Sequence, residues 1–209
     1  LTDGFDPTDP HGPGNWLQWT GTVDPRLGPT GRDRQDANYL WPLSRNINPN
    51  FKGVVFVDDK VVISGVLRGR LTLAATSDII IGDDVSYVTN PGTVSCDDIL
   101  GVFTGTDVIM ADNTLNSPVS HSSAWRTYDD TSDEIVHSVV LALSEFKAQN
   151  HAASQGNDQP CSGTAWARGC LRLTGGTIQS RRGPVGTTGV TGYLKRYDYD
   201  QCAATNPPP

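Results

Sequence analysis

The stretch from Gly53 to Val88, GVVFVDDKVVISGVLRGRLTLAATSDIIIGDDVSYV, constrains this chain more than any other. Four short apolar runs (Val54–Val57, Val61–Ile63, Leu71–Ala75 and Ile79–Ile81) are parted by Asp-Asp, Ser-Gly, Arg-Gly-Arg and Ser-Asp breaks. The runs are rich in β-branched residues and bounded by turn formers, so they predict strands rather than helices. Most breaks are too short for a crossover helix, yet the alternation of strand and tight corner keeps repeating. A chain written this way is expected to coil as an all-β, single-stranded β-solenoid rather than fold as a hairpin sheet.

Composition agrees with a thin, much-turned core. The apolar fraction is 36%, below the roughly 45–50% of an average globular domain. Glycine (22) and proline (14) are abundant, and there is one methionine. The net charge of −7 argues against nucleic acid, whose phosphates require a basic footprint, and against docking on an anionic membrane. No apolar run reaches the length of a membrane span, so the mature chain is expected not to cross one. The chain as given starts at Leu1 without a signal peptide, which suggests processing or the ordered part of a longer precursor.

Three regions are expected. Residues 1–50 hold half of the prolines together with Phe5, Trp16, Trp19, Tyr39 and Trp41. Proline precludes a long regular element, while so many aromatics exclude a plain linker. The segment reads as an extended, irregular arm whose aromatics anchor it either on its own body or on a neighbouring copy. Residues 51–182 would be the solenoid and 183–209 a Gly-, Tyr- and Pro-rich tail packed on it or on a neighbour. Strands are expected at Ile99–Phe103, Asp107–Ala111, Leu171–Leu173 and Thr177–Gln179. Glu134–Ala152 carries apolar residues at helical spacing, but its VVLAL core in this context predicts strand. The intervening excursion, 112–133, offers Trp125, Tyr128, Asp129 and Asp130 as a binding loop.

Four cysteines allow three pairings. Cys161 and Cys170 bracket a short loop and form the natural local pair, leaving Cys96 and Cys202 to tie the tail to the body. Such bonds imply an oxidising location, extracellular or on a cell surface. Their spacing does not suit zinc, and the dispersed histidines (His11, His121, His137, His151) suit no metal motif. No cofactor is expected. Aspartate pairs recur at 58–59, 83–84, 97–98 and 129–130. Turn chemistry accounts for them best, because Asp bonds neighbouring backbone amides; calcium ligation and glycoside hydrolysis are the alternatives weighed.

Several segments together also resemble a known group. They are GVLRGRLTLAATSDIIIGDDVSYV, DDILGVFTGTDVIM, LTGGTIQSRRGPVGT, GYLKRYDYD and NPPP. Over roughly residues 53–209 the chain is similar to largely uncharacterised bacterial envelope proteins. Their precursors begin with a pilin-like hydrophobic helix, absent here, and end in a β-helical domain. The most specific part is Arg182-Gly183-Pro184-Val185-Gly186-Thr187 followed by Gly192-Tyr193 and Tyr197-Asp198. The resemblance implies a right-handed parallel β-helix on a pilus-like or secretion-linked surface protein, without enzyme activity. The expectation is therefore a structural, non-enzymatic subunit that associates with other copies of itself. A carbohydrate-active β-helix (lyase or hydrolase) and a surface adhesin binding through the 112–133 loop and Trp125 are the alternatives, with carbohydrate as a further partner weighed.

Overall fold

The computed structural model describes residues 16–18, 40–42, 52–91, 95–111, 133–149, 151–152, 161 and 168–209. The chain divides at Gly53 into two compact units. In the first, β1 (Trp16–Gln18) pairs antiparallel with β2 (Leu40–Pro42), Leu17 opposite Trp41. Only the backbone of these two strands is described. Phe5, Trp19, Tyr39, Trp125, Tyr128, Asp129 and Asp130 lie outside the described residues.

The second unit is strand-dominated and parallel throughout its ten-stranded sheet. Its strands are β3 (Val54–Val57), β4 (Val61–Leu67), β5 (Arg70–Ala75), β6 (Ile79–Tyr87), β7 (Ile99–Thr104) and β8 (Val108–Met110), then β9 (Glu134–Ala142), β10 (Phe146–Ala148), β11 (Cys170–Gln179) and β12 (Leu194–Tyr199). A single five-residue helix follows among the described residues, α1 (Gln201–Thr205), with Asp200 accepting from the Cys202 amide at its N-cap. Within Glu134–Ala152, Glu134–Ala142 and Phe146–Ala148 are strand, as the apolar core predicts, with a corner between them at 143–145.

The pairing forms three stacks. In the first, β3, β5, β7, the second half of β9 and the end of β11 lie side by side. In the second, the first halves of β4 and β6 stack with β8 and β10. The third joins the ends of β4 and β6 to the starts of β9 and β11, and then to β12. Val54 pairs with Thr72 and Val61 with Ile79, both 18 residues on. Arg70 pairs with Ile99 and Ile79 with Val108, both 29 on. Gly101 pairs with Val139 and Val108 with Phe146, both 38 on. Equal offsets in two stacks mean that each level adds the same length of chain to both.

Inward-facing rows meet in one core. Leu73, Val102 and Val140 stack in the first row, Ile79, Val108 and Phe146 in the second, and Val85, Val136 and Leu173 in the third. All nine side chains are buried. Each such side chain stabilises the fold by roughly 1.5–3 kcal/mol through loss of apolar surface to water.

Three features differ from the sequence reading. Leu171–Leu173 and Thr177–Gln179 are not two strands but parts of one, β11, which runs unbroken from Cys170 to Gln179. Ser64-Gly65 and Gly82–Asp84 were natural places to end strands, but β4 and β6 run through them. The register shifts there, so these polar breaks turn the chain from the second stack into the third. Beyond Gln179 no strand pattern is legible, yet β12 forms there. It lies against β11 alone and keeps all six residues at least partly exposed, so it carries no apolar period.

Candidate interaction surface

The outward side of the first stack is the unusual feature of the second unit. Strand periodicity puts alternate residues on opposite faces, and here both faces are apolar. The register places Phe56, Ala74, Phe103, Leu141 and Ile178 in one outward row across all five levels. Beside it runs Val54, Thr72, Gly101, Val139 and Gly176. Phe56 is 61% exposed and Ile178 63%, and Leu143 is equally open at the neighbouring corner. Large apolar side chains gathered this way mark a docking face more often than singly scattered ones do.

Part of the second row is covered by the chain itself. Thr72 Oγ1 donates to the Pro209 carbonyl at 2.6 Å, and Arg70 Nη2 to the Pro207 carbonyl. A Cβ on Gly101 would come within 2.9 Å of Pro208 Cβ, so Pro208 occupies the space that a side chain would need. Asn206 Nδ2 donates to the Cys96 carbonyl at 3.0 Å, and the Cys96–Cys202 disulfide fastens the same segment. Residues 200–209 thus form a clasp lying on the sheet, with Pro208 levelling the notch at Gly101. Cys161 and Cys170 form the other disulfide. Sequence spacing favours both pairings.

One edge of this face is a charged corner. Lys60 lies 3.2 Å from Asp78, which also accepts from Thr106 Oγ1 at 2.8 Å. Lys147 contacts Asp107 and, at 3.6 Å, Glu145, which accepts from Arg181 Nε at 2.5 Å. Burial alone would raise the Asp78 and Asp107 carboxyls. Hydrogen bonds from Thr106 and Lys60, and from Lys147 and Ser144 respectively, outweigh it and hold both below the ordinary value. The corner has a polarity along the stack: Asp58 and Asp59 are exposed at the first level, Arg181 and Arg182 at the last.

Under the clasp lies a buried polar network. His137 Nδ1 accepts from the Tyr87 amide at 3.0 Å, and the two rings meet edge-on at 5.1 Å. Tyr87 Oη accepts from the Leu100 amide at 2.8 Å. Asp98 takes the Gly69 amide on Oδ1 and the Thr89 amide, at 2.8 Å, on Oδ2. Burial lowers the His137 pKa, with the Asp200 charge acting against it, and burial likewise raises Tyr87.

Of the aspartate pairs, Asp59 accepts from the neighbouring Lys60 amide, as turn chemistry expects, whereas Asp58 accepts from Thr76 Oγ1 and Asp84 from the Ile135 amide, bonds that link residues 18 and 51 positions apart. Among the described residues no three His, Cys, Asp or Glu side chains gather as a metal site would need. No described helix is long and apolar enough to cross a membrane. The sequence reading missed a second buried polar group. Tyr193 Oη donates to Glu134 Oε1 at 3.4 Å, and Arg168 Nη1 donates to the Gln149 carbonyl at 2.8 Å. Glu134 and Arg168 are wholly buried, a placement that no local pattern around them signals. Comparison with known proteins adds no relative: no family model, curated protein or solved structure matches the chain.

Proposed function

We propose that this protein is a structural subunit, a β-solenoid that assembles with copies of itself outside the cell or on a bacterial envelope surface. The observation that carries the reading is the outward apolar row running from Phe56 to Ile178 over every level of the first stack. Such a face is costly to leave in water and is best explained by a protein partner.

The solenoid reading rests on the equal offsets of the two stacks, because a coiling chain must add the same number of residues to each side at each level. Right-handed winding follows from the hand that parallel crossover connections adopt in nearly all proteins. The two disulfides suit an oxidising location. Among the described strands, β3 pairs with β5 alone, so its other edge offers backbone groups to a further strand. Assembly could therefore proceed end to end, side to side, or both.

Negative-stain electron microscopy of the purified chain, with sedimentation velocity over a concentration series, tests the proposal. Regular filaments, tubes or concentration-dependent oligomers are expected. A chain that stays monomeric at every concentration contradicts it.

A further inference from the structure

The order of residues along the outward row is close to self-complementary. Phe103 stands third of five, with Ala74 and Leu141 on either side and Phe56 and Ile178 at the ends. Consider a second copy laid face to face and turned end over end about an axis through Phe103, parallel to the strands. Phe56 then meets Ile178 of the other copy, Ala74 meets Leu141, and Phe103 meets itself. The small residue faces a large one, and the exposed end residues cover one another.

The charged corner obeys the same operation. End-over-end rotation keeps this corner on the same side and reverses its levels. Asp58 and Asp59 of each copy are thereby brought beside Arg181 and Arg182 of the other. These four side chains are exposed and of opposite sign across both ends of the contact, Arg181 keeping its own pairing with Glu145 as well. An interface between identical chains that closes on itself has this form, one patch serving both sides.

We infer that the outward face of the first stack docks onto the same face of a second copy, antiparallel, about a twofold axis at Phe103. This rests on the self-assembly reading above and specifies which surface and which orientation it uses. Five levels at ~4.8 Å and four residues at ~3.3 Å give a footprint of roughly 320 Å² per copy. That is well below the ~800 Å² per partner of stable interfaces, so this contact alone is weak and concentration-dependent. It becomes effective where many copies are held close together, as in an array on a surface.

The test is sedimentation velocity of the full chain, with disulfides intact, from ~10 µM to ~1 mM, the range where such contacts are read. Phe56→Asp with Ile178→Asp should weaken association at least ~10-fold, which corresponds to ~1.4 kcal/mol. Both positions are exposed, so the thermal melt should be retained. Asp58→Lys with Asp59→Lys should weaken pairing, as should Arg181→Glu with Arg182→Glu, and combining all four should restore it. Restoration is a signature that loss of fold cannot imitate. Independently of fold tolerance at the row ends, Phe103→Cys should cross-link to itself under mild oxidation. Phe56→Cys should cross-link to Ile178→Cys in a mixture of the two variants.

Wild-type association untouched by the row and charge variants overturns the docking face while leaving self-assembly standing. Cross-linking of Phe56→Cys to Val54→Cys in its place overturns the antiparallel orientation. A wild-type chain monomeric at ~1 mM overturns both.

Discussion

Two adjacent glycines, Gly175 and Gly176, should answer very differently to the same added methyl group. Gly175 sits where β11 turns from the third stack into the first, with φ at 150°, a region essentially closed to residues with a side chain. A Cβ built there falls 1.8 Å from the Ser138 carbonyl oxygen and 2.6 Å from its carbon. Ser138 is the paired residue on β9, so the clash is with backbone and only a separation of the two strands relieves it. Backbone strain of roughly 1–3 kcal/mol combines with about 1–2 kcal/mol for disturbed ladder hydrogen bonds. Gly175→Ala should therefore lose about 2–5 kcal/mol. At Gly176 nothing lies within 4 Å of the added carbon and φ is not positive. Gly176→Ala should be neutral, or gain up to ~1 kcal/mol by restricting the unfolded chain. In a thermal melt followed by circular dichroism, the first variant should drop by about 4–20 °C and the second by almost nothing. Similar shifts in both variants would refute the claim that the Ser138–Gly175 corner fixes the register.

Three further predictions concern the core, the disulfides and pH. Ile79→Ala should cost about 2–5 kcal/mol in urea denaturation, because Ile79 is wholly buried. Ile178→Ala on the outward row should stay within ~0.5 kcal/mol under the same conditions. The Cys96–Cys202 bond spans 106 residues and Cys161–Cys170 spans 9. By the chain-entropy relation, Cys→Ser at both ends should cost about 4.8 kcal/mol for the first bond and about 2.6 for the second; equal losses would count against it. Because the folded-state pKa of His137 lies below 6.5, its contribution to stability is whole above that pH. It falls as the pH drops below 6.5, where the unfolded chain takes a proton that the folded chain resists. His137→Asn keeps an acceptor for the Tyr87 amide, so its melting temperature should vary less between pH 7 and pH 5. Asp78, Asp98 and Asp107, all held below 3.8, contribute a separate loss at lower pH.

How much of this could be read from the sequence depended on whether a segment was buried on one face or more. The runs at 54–57, 71–75, 79–81 and 99–103 are dense in apolar residues, because their strands bury an inner face and carry apolar side chains outward as well. Their continuity announced strands and also held the signal of the outward face: VVFV is apolar at every position where a half-solvated strand would alternate. The cysteine spacing was informative because only one pair was local. By contrast β12 has no apolar period, since one neighbouring strand and an open outer side ask for none. The burial of His137, Glu134 and Arg168 was equally silent, because it depends on partners such as Tyr87 and Gln149, which come from other levels of the stack. Three of the corner ion pairs, Lys60–Asp78, Lys147–Asp107 and Arg181–Glu145, also join residues 18 to 40 positions apart, and charge counts alone do not align them.

The clasp also bears on the order in which the thiols oxidise as the chain is made. Thr72 and Pro209 meet across 137 positions, and Cys96 must wait for Cys202. During that interval Cys161 and Cys170 emerge 9 positions apart and can close on each other with little loss of freedom. Once they have, Cys96 is left with a single mate, so early closure of the local loop leaves only the native pairing open. The levels can stack from the first onward, each resting on its predecessor. The clasp is the step that waits, and the body it fastens can already be in place when Cys202 arrives.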